Sequence, residues 1–203
     1  KPHTPEKIAK NIMDGFLKIN PISNQKINVV GFSFGGLIAG HLSYQFTKSN
    51  IVPEKIVLVG PGGLGAKRGP MQEMVRRKPE MSKAQILEAH KKNLGILMFA
   101  NPSNIDDLSL YIQLQNTKHH RTKSRPISAT DTLTKILSKQ KTPLFVLWGE
   151  KDSTVGPYLE DRMIILRKVN PDVRFHVELN SGHWIMYETA ERFNEILCNI
   201  LNW

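Results

Sequence analysis

The sequence predicts an α/β fold: a mostly parallel sheet with helices on both faces, interrupted by a helical insertion. Three observations predict it. Short β-branched runs alternate with helix-period segments at both ends of the chain. The stretch between them shows helical patterns and no strand candidate. At 203 residues, with 40% hydrophobic and 23% charged residues, the chain is long and apolar enough to bury one full core.

Thr4-Pro5 opens the first helix, because threonine caps and proline suits the first helical position. Ile8, Ile12, Met13, Phe16 and Leu17 recur at helical spacing, and Asn20-Pro21 stops the run. Ile27 to Val30 reads as a strand, Gly35 to Phe46 as a helix, and Lys55 to Val59 as a second strand broken by Gly60-Pro61-Gly62-Gly63. Pro70–Lys78, Ser82–Ala100 and Ser103–His119 read as helices, the second opened by a Ser82/Gln85 capping box. Pro143–Trp148 returns to strand, a helix follows over Tyr158–Val169, and Val173–Leu179 is the last strand. The closing helix carries Phe193, Ile196, Leu197, Ile200 and Leu201 on one face. Residues 1–63 and 141–203 are thus expected to form the core, with residues 64–140 inserted over the carboxyl edge of the sheet, where open α/β sheets bind ligands.

Composition narrows the function classes. No apolar run approaches the ~20 residues needed to span a bilayer. The single cysteine, Cys198, cannot form an internal disulfide; it is expected to be a small buried hydrophobe in a cytoplasmic, reducing setting. The net charge is +10, and residues 63–141 hold fifteen Lys/Arg against six Asp/Glu, hence nine of those charges. Such a field suits a solvated surface or attraction of an anionic small-molecule substrate. No aromatic-interleaved basic motif points to nucleic acid. Neither a dinucleotide nor a Walker fingerprint is present, and no histidine pairs with cysteine or carboxylate at metal-ligand spacing, so no cofactor or metal is expected.

Gly31-Phe32-Ser33-Phe34-Gly35 matches G-x-S-x-G, with an apolar strand before it and a helix after it. On such a turn the glycines make room, Ser33 Oγ is exposed above the sheet, and the Phe34 N–H at the helix start points to where an oxyanion would form. A serine hydroxyl needs a base, and the base an orienting acid. Asp152 follows the strand ending at Trp148, in Gly149-Glu150-Lys151-Asp152; Glu150 competes but sits closer to the strand. His183 follows the last strand in Ser181-Gly182-His183-Trp184. Ser33, Asp152 and His183 are therefore the candidate nucleophile, acid and base.

With these motifs the chain resembles the α/β-hydrolase superfamily over essentially its whole length. It is most similar to the branch of meta-cleavage-product hydrolases, which split carbon–carbon bonds in vinylogous diketo acids. Gly60-Pro61-Gly62-Gly63-Leu64-Gly65, Arg125-Pro126-Ile127-Ser128, Trp148 to Asp152 and Gly182-His183-Trp184 carry the resemblance. It implies that Trp184 lines the pocket, beside Phe32, which stands where that branch has asparagine. Tyr111 falls where the branch has a substrate-binding arginine, which leaves Arg121 or Arg125 to hold a substrate carboxylate. The resemblance also implies strands and a second oxyanion donor ahead of the first helix. The 203 residues are accordingly expected to be a fragment of a longer protein, whose unpaired central strand invites association into a homo-oligomer.

Three functions remain in play: hydrolysis of a carboxylic ester or related acyl bond, C–C hydrolysis of a dienoate, and a non-catalytic binding role for the same fold. Epoxide hydrolases and haloalkane dehalogenases of this fold place aspartate where Ser33 stands and are disfavoured.

Overall fold

The computed structural model describes residues 4–20 and 26–202. Four strands form one parallel sheet in chain order: β1 (Asn28–Phe32), β2 (Lys55–Val59), β3 (Leu144–Gly149) and β4 (Arg174–Glu178). The register pairs Val30 with Val57, Leu58 with Val146 and Leu147 with His176. Ladder bonding runs past the strand ends, where the N–H groups of Ser33, Gly60 and Glu150 donate to Val59, Leu147 and Glu178 carbonyls, each at 2.8 Å. Three loops are thereby fixed side by side along the carboxyl edge.

Side chains of the central strands alternate between two apolar layers, as expected for parallel strands covered on both faces. Ile56, Leu58, Leu144, Val146 and Trp148 face one cluster with Ala9, Leu37, Ile38, Leu133 and Leu166. These come from α1 (Pro5–Ile19), α2 (Phe34–Lys48), α6 (Thr132–Leu137) and α7 (Leu159–Val169). Val57, Val59 and Leu147 face the second cluster, built by α8 (Ile185–Glu188) and α9 (Ala190–Leu201) through Ile185, Phe193 and Leu201. β1 is an edge of the sheet among the described residues, and Val30 on it is 44% exposed.

Local chemistry explains the element ends. Thr4 Oγ1 accepts the Lys7 N–H at 3.3 Å and Pro5 occupies the first helical position of α1. α1 ends at Ile19 with Asn20 as its cap; the expected stop at Pro21 lies outside the described residues. The Ser82/Gln85 capping box opens α3 (Lys83–Leu97), a motif whose loss costs about 1 kcal/mol. α4 starts later than its sequence pattern suggests, at Asp107–His119, because Pro102–Asn104 first makes a 3-10 turn and Asp106 supplies the cap.

The helix expected over Pro70–Lys78 does not form. Val75 instead has both backbone groups bound by the Asn93 side-chain amide, its N–H donating to Oδ1 at 2.8 Å and its carbonyl accepting from Nδ2 at 2.9 Å. Three adjacent cations, Arg76, Arg77 and Lys78, followed by Pro79, further disfavour a helix there. Residues 66–82 thus form an irregular strap. Within the 64–140 stretch, α5 (Ser124–Ser128) and α6 escape the sequence pattern, and α6 buries Leu133, Ile136 and Leu137 in the main core against α2. No helix among the described residues is long and apolar enough to cross a membrane. Cys198 is free and half-buried rather than buried, since it lies at the margin of the α9 face.

His41 of α2 is 2% exposed, with Nε2 3.0 Å from Thr132 Oγ1 and Nδ1 3.5 Å from Glu6 Oε1. Burial pushes its pKa below the ordinary histidine value, and Glu6 only partly opposes this. The unfolded chain therefore binds the extra proton more readily than the native state. The stability this group contributes is present above about pH 6.5 and is lost as the pH falls toward its folded value. His90 of α3 is shifted the same way by burial, then by Arg77. Urea unfolding at pH 7.5 and 5.5 should show the wild type losing stability on acidification and His41→Phe losing less. Equal losses would mean that His41 is not held neutral.

Candidate active site

Ser33 sits at the β1–α2 turn with φ 53° and ψ −117°, a backbone conformation that costs a non-glycine residue about 1–3 kcal/mol. The turn is possible because Gly31 leaves space: a Cβ there would collide with the Gly35 carbonyl and lie 2.7 Å from Ala39 Cβ. Gly35 itself has open space at its Cβ position, so the tight contact of the motif falls on its first glycine. Phe34 is the first residue of α2, where helix geometry leaves the N–H without an intrahelical acceptor.

The three candidate residues converge. His183 Nε2 lies 2.9 Å from Ser33 Oγ, and His183 Nδ1 lies 2.7 Å from Asp152 Oδ2. Asp152 and His183 are 2% and 3% exposed, so this chain of hydrogen bonds is screened little by water. The other Asp152 oxygen accepts from the Thr154 N–H at 2.8 Å and from Thr154 Oγ1 at 2.7 Å. Burial works to raise the Asp152 carboxyl, but the charge and hydrogen bond of His183 and the bonds from Thr154 outweigh it. The carboxyl is held below its ordinary value. Glu150 is committed elsewhere, accepting the Asn180 N–H at 3.0 Å.

Gly60 forms the floor of this arrangement with φ +52°. A Cβ at Gly60 would stand 2.9 Å from His183 Cε1 and 3.4 Å from Asp152 Oδ2, so any side chain there displaces the imidazole. The sequence marks this stretch only as a turn beside the site.

A cavity of about 260 Å³ opens over Ser33 and His183. Its walls include Gly60 to Ala66, Arg68 and Met71 of the strap, Leu97 and Met98 at the end of α3, Arg125 and Ser128 of α5, and Thr154 and Arg162 beside the acid loop. Among the residues expected to bind substrate, Arg125 lines this cavity and Arg121 does not; Arg121 is exposed on the connection after α4. Trp184 is not on the wall either, because α8 turns its ring onto Tyr187 and Phe99, at centroid distances of 4.7 and 5.8 Å. Phe32 packs behind the histidine, ring centroids 4.9 Å apart. Tyr111 is 59% exposed on α4.

The end of α3 is stitched to two loops at the carboxyl edge of the sheet. The Leu97 carbonyl accepts from Ser153 Oγ at 3.0 Å and the Met98 carbonyl from the Trp184 N–H at 2.9 Å. The Glu188 carboxylate accepts N–H groups of Ala100 at 3.0 Å, Asn101 at 3.1 Å and Gly182 at 2.7 Å. Among the described residues, no group of three or more His, Cys, Asp or Glu side chains is placed to hold a metal ion.

Sheet order, elbow and helical cover together define a hydrolase scaffold of the α/β class. The model of the alpha/beta hydrolase family matches residues 8–196, and the chain belongs to that family. A 2-hydroxy-6-oxo-6-phenylhexa-2,4-dienoate hydrolase of Burkholderia cepacia is 28% identical over 205 residues, covering 96% of this chain and 67% of that protein. A 2-hydroxy-6-oxononadienedioate/2-hydroxy-6-oxononatrienedioate hydrolase of Pseudomonas is 25% identical, covering 95% of this chain and 67% of its own length. The chain thus spans about two thirds of these relatives. Among solved structures, the meta-cleavage product hydrolase of Pseudomonas fluorescens IP01, complexed with acetates, superposes with a TM-score of 0.70 at 19% identity, covering all of this chain and 73% of that one. A thermophilic esterase superposes at 0.64 with 20% identity, covering all of this chain and 74% of its own. At these identities the structural likenesses establish the fold alone.

Proposed function

We propose that the protein is a serine hydrolase that cleaves a carboxylic ester or related acyl bond of a small-molecule substrate through Ser33, His183 and Asp152. The observation that carries this reading is the unbroken hydrogen-bonded chain from Ser33 Oγ through His183 to Asp152 at 2.9 and 2.7 Å. Ser33 Oγ forms a bond to the substrate carbonyl carbon while its proton passes to His183 Nε2. The carbonyl electron pair moves to oxygen, facing the Phe34 N–H, and returns as the alcohol leaves with the proton from His183. Water repeats the sequence on the acyl-enzyme and frees Ser33. Asp152 holds the Nδ1 proton and so fixes the tautomer that presents a bare Nε2. The cycle needs no cofactor. We place it in the cytoplasm on the strength of the lone Cys198, with residues 64–140 as the lid and residues 1–63 and 141–203 as the core.

A second reading is C–C hydrolysis of a vinylogous diketo acid, favoured by the names of the relatives at 25–28% identity. It uses the same residues, with the proton delivered to carbon instead of oxygen. A panel of 4-nitrophenyl esters run beside dienoate ring-fission products separates the two. A fluorophosphonate probe tests both, and it should label Ser33 alone. Labelling at another serine, or turnover that survives complete labelling, would remove Ser33 from the reaction.

A further inference from the structure

The cavity above Ser33 is walled by three arginines, Arg68, Arg125 and Arg162, and by no aspartate or glutamate. Arg68 and Arg125 are exposed, one on the strap and one on α5, whereas Arg162 in the first turn of α7 is 5% exposed. Its guanidinium is held by two backbone carbonyls, Nη1 donating to Tyr158 at 2.9 Å and Nη2 to Thr154 at 3.3 Å. Those contacts fix its direction, and its charge is offset only at longer range, by Asp152 and Asp161. Among the described residues no carboxylate lies within 4.0 Å of any of the three arginines. Asp152, a buried acid whose charge acts on Arg162, already accepts from Thr154 and pairs with His183.

A buried cation without a direct ion pair is costly, and a bound anion can supply one. Burial lowers the Arg162 pKa; the Asp152 charge opposes this, Arg68 adds to the lowering, and Asp161 opposes it more weakly, so burial prevails. Arginine presents its donors in a rigid fork that matches a carboxylate, and here two of those donors are anchored while the residue still faces the cavity.

We infer that Arg162, with Arg68 and Arg125 at the mouth, forms a subsite for the carboxylate end of the substrate. This rests on the hydrolase reading for its catalytic consequence and on geometry alone for binding. The subsite lies on the acid-loop side of the cavity. It is separate from Tyr111, which is exposed and outside the cavity wall.

Two matched esters test it: 4-nitrophenyl hydrogen glutarate and 4-nitrophenyl pentanoate share a leaving group and differ at the far end of the acyl chain. The wild type should prefer the glutarate ester by about tenfold or more in kcat/KM, and the preference should shrink as salt is raised. Arg162→Met should bring the ratio to near one, and Arg162→Lys should restore part of it. Arg68→Gln and Arg125→Gln, at exposed positions, should each lower the ratio severalfold and serve if the buried substitution fails to fold. Calorimetric titration with glutarate reads the subsite without chemistry. Glutarate binding that disappears in the arginine variants, in a protein that hydrolyses neither ester, keeps the subsite and overturns the hydrolase reading. Turnover of both esters at equal kcat/KM, with no glutarate binding, overturns the subsite and leaves the hydrolase.

Discussion

Ser33→Ala is expected to lower kcat on the order of 10⁴ to 10⁶-fold while leaving the fold intact, because the proposed acyl-enzyme forms at Oγ. What remains would come from substrate binding and the Phe34 N–H. The comparison with Ser33→Gly sharpens the test. Ser33 holds φ 53°, which glycine adopts freely, so Ser33→Gly should be as inactive as the alanine variant yet more stable, by about 1 kcal/mol. Thermal unfolding and single-turnover kinetics on the three proteins read the two effects separately. An alanine variant within tenfold of wild type would end the nucleophile assignment. A glycine variant less stable than alanine would show that the turn is not strained.

Asp152→Asn carries the second large effect. In serine-protease triads that exchange keeps the geometry but favours the wrong imidazole tautomer, at a cost of about 10⁴ in kcat. The same loss is expected here, since Asp152 Oδ2 is the acceptor at 2.7 Å for His183 Nδ1. Glu150→Gln should change turnover little, because its carboxylate binds the Asn180 N–H instead. Stability adds an independent readout. Asp152 is held below its ordinary value, so the native state binds fewer protons than the unfolded chain in the acid range. Its contribution is present above about pH 4 and disappears as the pH falls through the lower folded value. Asp152→Asn should flatten that part of the stability profile. A full acid limb in the variant would assign it to other carboxylates.

The legible parts of this protein are those written in neighbouring residues. Each strand is a short apolar run, and Ser33, Asp152 and His183 each follow such a run within five residues, so their meeting at one sheet edge follows from parallel order alone. The strap at 66–82 was misleading because its helical spacing competes with a partner far along the chain, the Asn93 amide. Leu133, Ile136 and Leu137 gave too short a pattern to reveal α6, whose place is set by packing against α2. The family resemblance makes Trp184 a pocket residue, but its direction depends on α8, a single turn without a side-chain cap. Arg162 left no signal at all. It sits in an ordinary helical turn, and only the return of α7 beneath the acid loop turns it toward the cavity. Thr154 was accessible in principle, as a hydroxyl two residues after an aspartate in a turn.

The seam between the end of α3 and the loops of Ser153, Gly182 and Trp184 is made at residues 97, 98, 100 and 101 by backbone atoms. Main-chain contacts are indifferent to which side chain is present but not to how many residues separate them. Ala100 and Asn101 can therefore drift in identity, while a one-residue insertion or deletion between 97 and 101 would shift the loop that carries His183. The end of α3 is tied to the His183 loop by residue count, so a change of length is expected to be tolerated elsewhere along 64–140 but not across this seam.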